Sequence, residues 1–253
     1  MLNSYEFSSA IDFVREKKER EAAGTVFSTL HYGEGRYIGM ETESIYGNYE
    51  KVLPDVLARF CSELEVLNIQ TRAKTGEGIY EHLISRVKSD ESMREKCARR
   101  DLPATCRSAL REITDAIGVR VITRFIEDIH EIAAYIGSLP DVEIVREKDY
   151  IRNAKPNGYR SYHMIVAYKA PWEDIDGQVP GVYYIEIQLR TIAMDSWASL
   201  EHQLKYKKNI RNQKLIVAEL KRCADELAGC DLSMQTIRNL IRSAGADGEG
   251  KEG

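Results

Sequence analysis

Residues 148–163, KDYIRNAKPNGYRSYH, combine the residue types that bind nucleotides. Basic residues come first, the turn-forming Pro156-Asn157-Gly158 follows, and a tyrosine, an arginine and a histidine complete the stretch. Glycine in such a turn lets the backbone approach a ligand closely. Cations and aromatic rings together suit a ligand with phosphates at one end and a flat base at the other. Taken alone, the stretch is equally typical of a solvated surface hairpin.

Two carboxylates form the second candidate chemical group. Asp115 lies at the entrance of a predicted strand, three residues before Gly118, and Glu186 lies in the middle of another predicted strand, on its polar face. Acidic side chains are seldom buried without partners. A carboxylate pair held rigidly beside cations fits a Mg²⁺ site for phosphoryl transfer. The alternative is a pair of structural salt bridges.

A dense group of cations follows the first predicted strand, residues 79–87. Arg86 and Lys88 alternate on one side of that strand, and Lys96 lies at the far end of a helix predicted for residues 91–100, with Ser89 or Asp90 as its cap. This arrangement could clamp a polyphosphate, although most charge runs are solvated helix faces. The six cations are Arg86, Lys88, Arg94, Lys96, Arg99 and Arg100.

The elements that must position these residues are predicted from periodicity. In GVYYIEIQLRT, residues 181–191, apolar and polar side chains alternate, so one side of the sheet packs on helices and the other is available for chemistry. Helical and strand patterns together predict an α+β fold with a mixed sheet of about five strands packed on helices. A helix is expected from residue 44, with a kink or a later start at Pro54.

Helical extensions are expected at both ends of the chain. Residues 1–44 predict a short amphipathic helix and a loop, and residues 243–253 predict a disordered tail. Residues 211–242 carry apolar residues at a four–three spacing, which is typical of a seam for another helix, within the subunit or across an oligomer. Gly229 could interrupt this helix. The seam comprises Ile216, Leu220, Cys223, Leu227, Cys230, Met234, Ile237 and Ile241.

Composition and missing motifs exclude several classes of protein. With a net charge of −4, the chain is not a general polyanion binder, so any nucleotide site must be a local concentration of cations. The five cysteines form no C-x-x-C pair and are expected to be reduced, buried thiols of a cytoplasmic protein. No signal peptide, membrane-length apolar run, P-loop or G-x-S-x-G motif is found.

Four segments, in this order and spacing, resemble the synthetase domain of the RelA/SpoT family, in the form of its small alarmone synthetases. They are RVKSDESMREK, DAIGVRV, KDYIRNAKPNGYRSYH and EIQLRTIAMDSWASLEHQLKYK. The resemblance covers roughly residues 45–210 and implies a nucleotidyltransferase-like fold. Since the sequence has no His-Asp dipeptide, we expect a monofunctional synthetase without the hydrolase domain of the long members.

The resemblance implies transfer of the β,γ-diphosphate of ATP to the ribose 3′-oxygen of GDP or GTP, giving (p)ppGpp and AMP in the stringent response. The aspartate that matches Asp115 binds Mg²⁺, and the glutamate that matches Glu186 acts as metal ligand, as base toward the 3′-hydroxyl, or as both. Arg86 and Arg120 match the arginines that sandwich the adenine ring, and Lys88 and Lys96 match residues that hold ATP phosphates.

The same resemblance implies a guanine-nucleotide side, on which Tyr159 stacks against the base. The residues assigned to GDP or GTP are Lys148, Lys155, Asn157, Gly158, Tyr159, His163, Gln188, Arg190, Glu201 and His202. The family departs from this sequence at Ala154, where a proline is frequent. Family members of this size are commonly homotetramers, and regulation by product or RNA is left open by the sequence.

Two other functions are alternatives to alarmone synthesis. Some relatives are toxins that pyrophosphorylate the tRNA 3′ end, and they need a basic surface that the net acidity of this chain disfavours. A non-catalytic nucleotide- or RNA-binding module is disfavoured by Asp115 and Glu186, because a phosphate binder gains nothing from added negative charge. The sequence does not distinguish GDP from GTP as the preferred acceptor.

Overall fold

A computed structural model describes residues 43–206 and 212–249, and it contains a five-stranded mixed sheet with the order β1-β2-β5-β4-β3. Strands β2 and β5 are parallel, and the other neighbouring pairs are antiparallel. The predicted α+β class with about five strands is confirmed. The strands are β1 (His82–Val87), β2 (Ile117–Thr123), β3 (Val142–Asp149), β4 (Tyr162–Ala170) and β5 (Gly181–Thr191).

The helices begin and end at residues that favour these positions. Pro54 lies in the first turn of α1, where a missing N–H costs little, and a short 3₁₀ helix over Gly47–Lys51 precedes it, so the helix starts late and is not kinked. Ser89 caps α2 by accepting a hydrogen bond from the Ser92 N–H. The helices are α1 (Leu53–Thr75), α2 (Asp90–Arg99), α3 (Ile126–Ser138), α4 (Ile192–Tyr206) and α5 (Gln213–Glu249).

The hydrophobic core lies on one side of the sheet. The apolar face predicted for β5 is buried and joins the apolar residues of β2, α1 and α3 in one cluster. Phe60 of α1 meets Tyr168 of β4 edge to face, with ring centroids 5.3 Å apart. The opposite side of the sheet is therefore left for the polar residues of the same strands.

The last helix and the cysteines differ in part from the predictions. The α5 helix continues through Gly229 and ends at Glu249, so the predicted interruption is wrong and the predicted tail is helical as far as residue 249. A single glycine lowers helix stability but does not end a helix whose neighbours favour it. Cys61 and Cys97 are buried as predicted, whereas Cys230 is exposed. The helix and loop predicted for residues 1–42 lie outside the described residues.

None of the described helices has a stretch long and apolar enough to cross a membrane.

Candidate active site

Strand register gathers the predicted site residues on one face of the sheet. Gly118 of β2 is paired with Arg86 on one side and with Glu186 on the other. Directly paired residues project to the same face, and so do residues two apart on one strand. The face therefore carries Arg86, Arg120, Glu186, Gln188, Arg190, His163, Arg146 and Lys148.

Asp115 and two lysines form a compact cluster at the entrance of β2. One Asp115 oxygen, Oδ2, accepts a hydrogen bond from the Lys96 ammonium and lies 3.4 Å from the Lys88 Nζ. The Lys88 N–H donates to the Ala116 carbonyl at 2.8 Å, which fixes the chain where β1 ends. Burial would raise the pKa of Asp115, but the hydrogen bond from Lys96 and the charges of both lysines outweigh it and lower the pKa below its ordinary value.

The other carboxylate oxygen of Asp115, Oδ1, is available to bind a cation. Asp115 Oδ1 is buried and has no hydrogen-bond partner among the described residues. No group of three or more His, Cys, Asp or Glu in residues 43–206 and 212–249 could hold a metal. Mg²⁺ is commonly held by one or two carboxylates together with substrate phosphates. The orphaned carboxylate oxygen at the entrance of β2, with Glu186 on the neighbouring strand β5, fits that coordination.

A chain of hydrogen bonds joins the arginines to the tyrosine and histidine of the 148–163 stretch. Arg190 is nearly buried and donates to the Tyr159 hydroxyl at 2.9 Å and to Gln188 Oε1 at 2.8 Å. Tyr159 Oη lies 2.7 Å from His163 Nε2. Because arginine can only donate, the hydroxyl accepts from Arg190.

The surroundings of His163 favour its neutral imidazole form. Burial lowers the pKa of His163 from 6.5 to about 4, and the charges of Arg190, Lys155 and Lys148 act in the same direction. At neutral pH the imidazole is thus not a cation.

Stability should therefore depend on pH through His163. The unfolded chain binds a proton at this histidine below about 6.5, and the folded chain binds it only near 4, so the free energy of unfolding should fall as pH is lowered through this range. The full decrease in the free energy of unfolding is on the order of 3 kcal/mol. Urea unfolding at several pH values checks it. The variant His163→Gln, which does not titrate, should show a flatter profile, and parallel profiles would contradict the assignment.

A pocket of about 150 Å³ opens on the same face beside these groups. It is lined by side chains of β3, β4 and β5 and by the segment that follows β3. Lys155 Nζ lies 4.7 Å from the Tyr150 ring centroid and 4.6 Å from that of Tyr159. The polar and aromatic lining residues are Arg146, Lys148, Tyr150, Lys155, His163 and Glu186. A pocket with three cations and one carboxylate favours an anionic ligand.

Known proteins resemble this chain over about two thirds of its length. A family model described as a region found in RelA / SpoT proteins matches residues 85–211. The GTP pyrophosphokinase YwaC of Bacillus subtilis (strain 168) is 43% identical over 166 residues, which are 66% of this chain and 77% of that protein. The chain belongs to the RelA/SpoT family.

Solved structures agree with the membership. Small alarmone synthetase 2 from Bacillus subtilis superposes with a TM-score of 0.65 at 35% identity, covering 76% of this chain and 98% of that one. Small alarmone synthetase 1 from the same organism, solved with its product pppGpp, gives a TM-score of 0.64 at 28% identity, covering 75% and 94%. The predicted α+β fold is thus the fold of small alarmone synthetases.

In this RelA/SpoT family member, two of the residues assigned to the ligand make contacts within the protein. Gly158 has a φ of +91°, and a Cβ there would lie 2.5 Å from the Ala224 Cβ of α5, so its close approach is to a helix. Asn157 donates to Glu201 Oε1 at 3.0 Å and accepts from the Tyr159 N–H at 3.2 Å. Both residues shape the loop that presents Tyr159. His202 lies exposed on α4.

Arg160 completes the attachment of this loop to α5. Its guanidinium donates to the carbonyl oxygens of Gly158 and Ala224, both at 3.2 Å, and contacts Asp225 Oδ1 at 3.3 Å. The Trp197 indole N–H donates to the Leu220 carbonyl at 2.8 Å. The helix predicted as a seam therefore also supports the loop of the candidate site.

Gly158→Ala should disturb the predicted acceptor side selectively. The left-handed backbone and the overlap with Ala224 should together cost about 2–4 kcal/mol. Partial relief by shifting the loop should raise the KM for the guanine nucleotide and leave the KM for ATP near wild type. Steady-state kinetics and thermal unfolding check this.

Gly177→Ala is the matched control, because Gly177 has a φ of +75° but its nearest neighbour would lie 3.9 Å from the new Cβ. It should cost stability through the backbone alone, about 1–2 kcal/mol, with normal kinetics. Equal kinetic defects in both variants would contradict the packing argument. Adding Ala224→Gly should restore part of the activity of Gly158→Ala.

Sequence reasoning missed three residues of the site: Arg146, Tyr150 and Asp195. Arg146 lies two residues before Lys148 on β3, so strand alternation was the signal that could have found it. Asp195 accepts from Arg190 at 2.8 Å and lies 3.3 Å from Arg120. Its place in the first turn of α4 carried no signal, because its partners come from two separate strands.

Proposed function

We propose that this chain transfers the β,γ-diphosphate of ATP to the ribose 3′-oxygen of GDP or GTP and so makes the alarmone (p)ppGpp. The observation that carries the proposal is the arrangement of the polar sheet face. The lysine-bound Asp115 lies at one end, the cationic pocket lies toward the other, and Glu186 on β5 is in the pocket lining. The curated relative at 43% identity is a GTP pyrophosphokinase.

ATP would occupy the side of the face formed by β1, β2 and α2. Lys88 and Lys96 would turn from Asp115 to the phosphates, since ammonium groups bind phosphate as point charges. Arg86 is exposed on β1 and Arg120 lies diagonally across from it on β2, so two guanidinium planes are available to the adenine ring.

The guanine nucleotide would occupy the pocket side. Lys148 and Lys155 would neutralise its phosphates, and Tyr159, fixed by Arg190 and His163, would stack on the base. Gln188 lies beside Glu186 and accepts from Arg190, so it would orient the ribose end of the acceptor.

The transfer joins the 3′-oxygen to the β-phosphorus, breaks the bond between that phosphorus and the oxygen of the α-phosphate, and releases AMP and the hydroxyl proton. Asp115 and Glu186 would hold Mg²⁺, which when bound neutralises the phosphates and aligns them for in-line attack. Glu186 would receive the hydroxyl proton, hold the metal, or do both. Positioning by the rigid sheet supplies much of the rate.

Labelled ATP tests the proposal and its rivals in one experiment. The protein is incubated with [γ-³²P]ATP and Mg²⁺, with GDP, GTP, GMP or tRNA as acceptor. Label on GDP or GTP, with release of AMP, supports the proposal. Label on tRNA alone would identify the toxin activity, and no transfer to any acceptor would leave a binding module. Omission of Mg²⁺ with added EDTA should abolish the transfer.

We also infer that the protein is a cytoplasmic homo-oligomer, a tetramer by resemblance. The five cysteines are dispersed along the sequence with no C-x-x-C pair, which favours a reducing compartment. Large apolar side chains on α5 are exposed in the single chain, and a second helix would cover them. Light scattering should give a mass above that of one chain, and Ile241→Glu should lower it. These side chains include Leu232, Ile237, Leu240 and Ile241.

A further inference from the structure

A continuous chain of polar contacts crosses the candidate site from β2 to β4. Arg120 Nη1 lies 3.3 Å from Asp195 Oδ1, and the same oxygen accepts from Arg190 Nη1 at 2.8 Å. Arg190 then donates to the Tyr159 hydroxyl, and that hydroxyl lies 2.7 Å from His163 Nε2. One end of the chain is a residue of the proposed ATP side, and the other end belongs to the proposed acceptor side.

Asp195 is the negatively charged residue of this chain of contacts and lies between its two arginines, Arg120 and Arg190. Arg120 and Arg190 lie close enough that the charge of Arg190 adds to burial in lowering the pKa of Arg120. A carboxylate shared by both guanidinium groups offsets their repulsion. The Nε atoms of both arginines are buried and have no hydrogen-bond partner among the described residues. Neither guanidinium is therefore held in place through its Nε.

The segment that carries Asp195 is held by hydrogen bonds to neighbouring elements. It lies in the first turn of α4, directly after β5. The Met194 N–H donates to the Thr191 hydroxyl at 3.1 Å, and that hydroxyl donates to the buried Asp231 of α5 at 2.7 Å. The junction that carries Asp195 is thus fixed to both β5 and α5.

We propose that Asp195 is a positioning residue that couples the donor and acceptor sites, an inference that rests on the proposed function. When ATP binds and Arg120 moves to the adenine ring, Asp195 loses its contact with Arg120 and keeps its contact with Arg190. That pair tightens and holds Tyr159 and His163 in the orientation that receives the guanine nucleotide. Because binding coupling is reciprocal, the acceptor strengthens ATP binding by the same factor.

Equilibrium binding tests the coupling without turnover. The dissociation constant of GDP is measured by calorimetry with and without saturating α,β-methylene-ATP and Mg²⁺. The wild type should bind GDP about 5-fold or more tightly with the analogue present. Asp195→Asn should reduce this factor to about 2 or less, while Asp195→Glu, which keeps the charge, should retain most of it.

Asp176→Asn is the matched control, because Asp176 also accepts from two arginines, Arg107 at 3.0 Å and Arg111 at 2.7 Å, and neither arginine belongs to the chain of contacts from Arg120 to His163. It should leave the coupling factor unchanged. Full coupling in Asp195→Asn, or equal loss in Asp195→Asn and Asp176→Asn, would overturn the proposal. Failure of the proposed function is a separate result: the wild type would then transfer no label to GDP or GTP.

Discussion

Replacement of Asp115 with asparagine should lower diphosphate transfer by about 10³-fold or more. The substitution keeps the size of the side chain and removes the negative charge that Lys88 and Lys96 share. It also removes the carboxylate whose second oxygen, Oδ1, is buried without a partner and is the strongest candidate for a metal ligand. Loss of charge therefore weakens both the cation site and the placement of the two lysines.

The measurement is the initial rate of label transfer from ATP to GDP at saturating substrates, with circular dichroism to show that the fold is kept. Thermal stability should fall, because the two lysines lose their common partner. Asp176→Asn serves as the control for loss of an arginine- or lysine-bound carboxylate. Near-wild-type turnover of Asp115→Asn would show that this residue is not part of the catalytic machinery.

The sheet and the placement of the two carboxylates could be predicted because alternation is a local signal. In β5 the apolar residues Tyr183, Ile185 and Ile187 are buried, and the intervening Glu186 and Gln188 face the site. A period of two in the sequence fixes which side chains share a face, whatever lies on either side of the sheet. The contact of Asp115 with Lys88 and Lys96 was not predicted, because Lys96 lies on a helix and Asp115 precedes β2, where alternation gives no signal.

The loop residues show where sequence reasoning stops. A Pro-Asn-Gly turn has the same signature whether its glycine approaches a ligand or a helix. The neighbour of Gly158 is Ala224, 66 positions later in the sequence, and only the docking of α5 reveals it. Asp195 was missed for the same reason, since its importance depends on Arg120 and Arg190 meeting in space.

Replacement of Glu186 with glutamine should lower transfer by about 10²–10⁴-fold, the range that removal of a positioned base or charged ligand typically gives. Glu186 lies between β2 and β4, paired with Gly118 and Ile165, and lines the pocket. Glutamine keeps the hydrogen bond that Gln188 Nε2 donates to Glu186 Oε2 at 3.4 Å, so the site should keep its shape. Binding of GDP should therefore change much less than turnover.

Glu147→Gln is the matched control, because Glu147 is a strand glutamate that pairs with Met164 and so projects to the other face of the sheet. It should turn over at the wild-type rate. Titration with Mg²⁺ then separates the two roles of Glu186. If Glu186 holds the metal, Glu186→Gln should need more Mg²⁺ and recover part of its rate at high concentration. If Glu186 is the base, Mg²⁺ should not rescue the rate, and raising the pH should, because hydroxide can replace a missing base. Turnover of Glu186→Gln close to that of Glu147→Gln would contradict both roles.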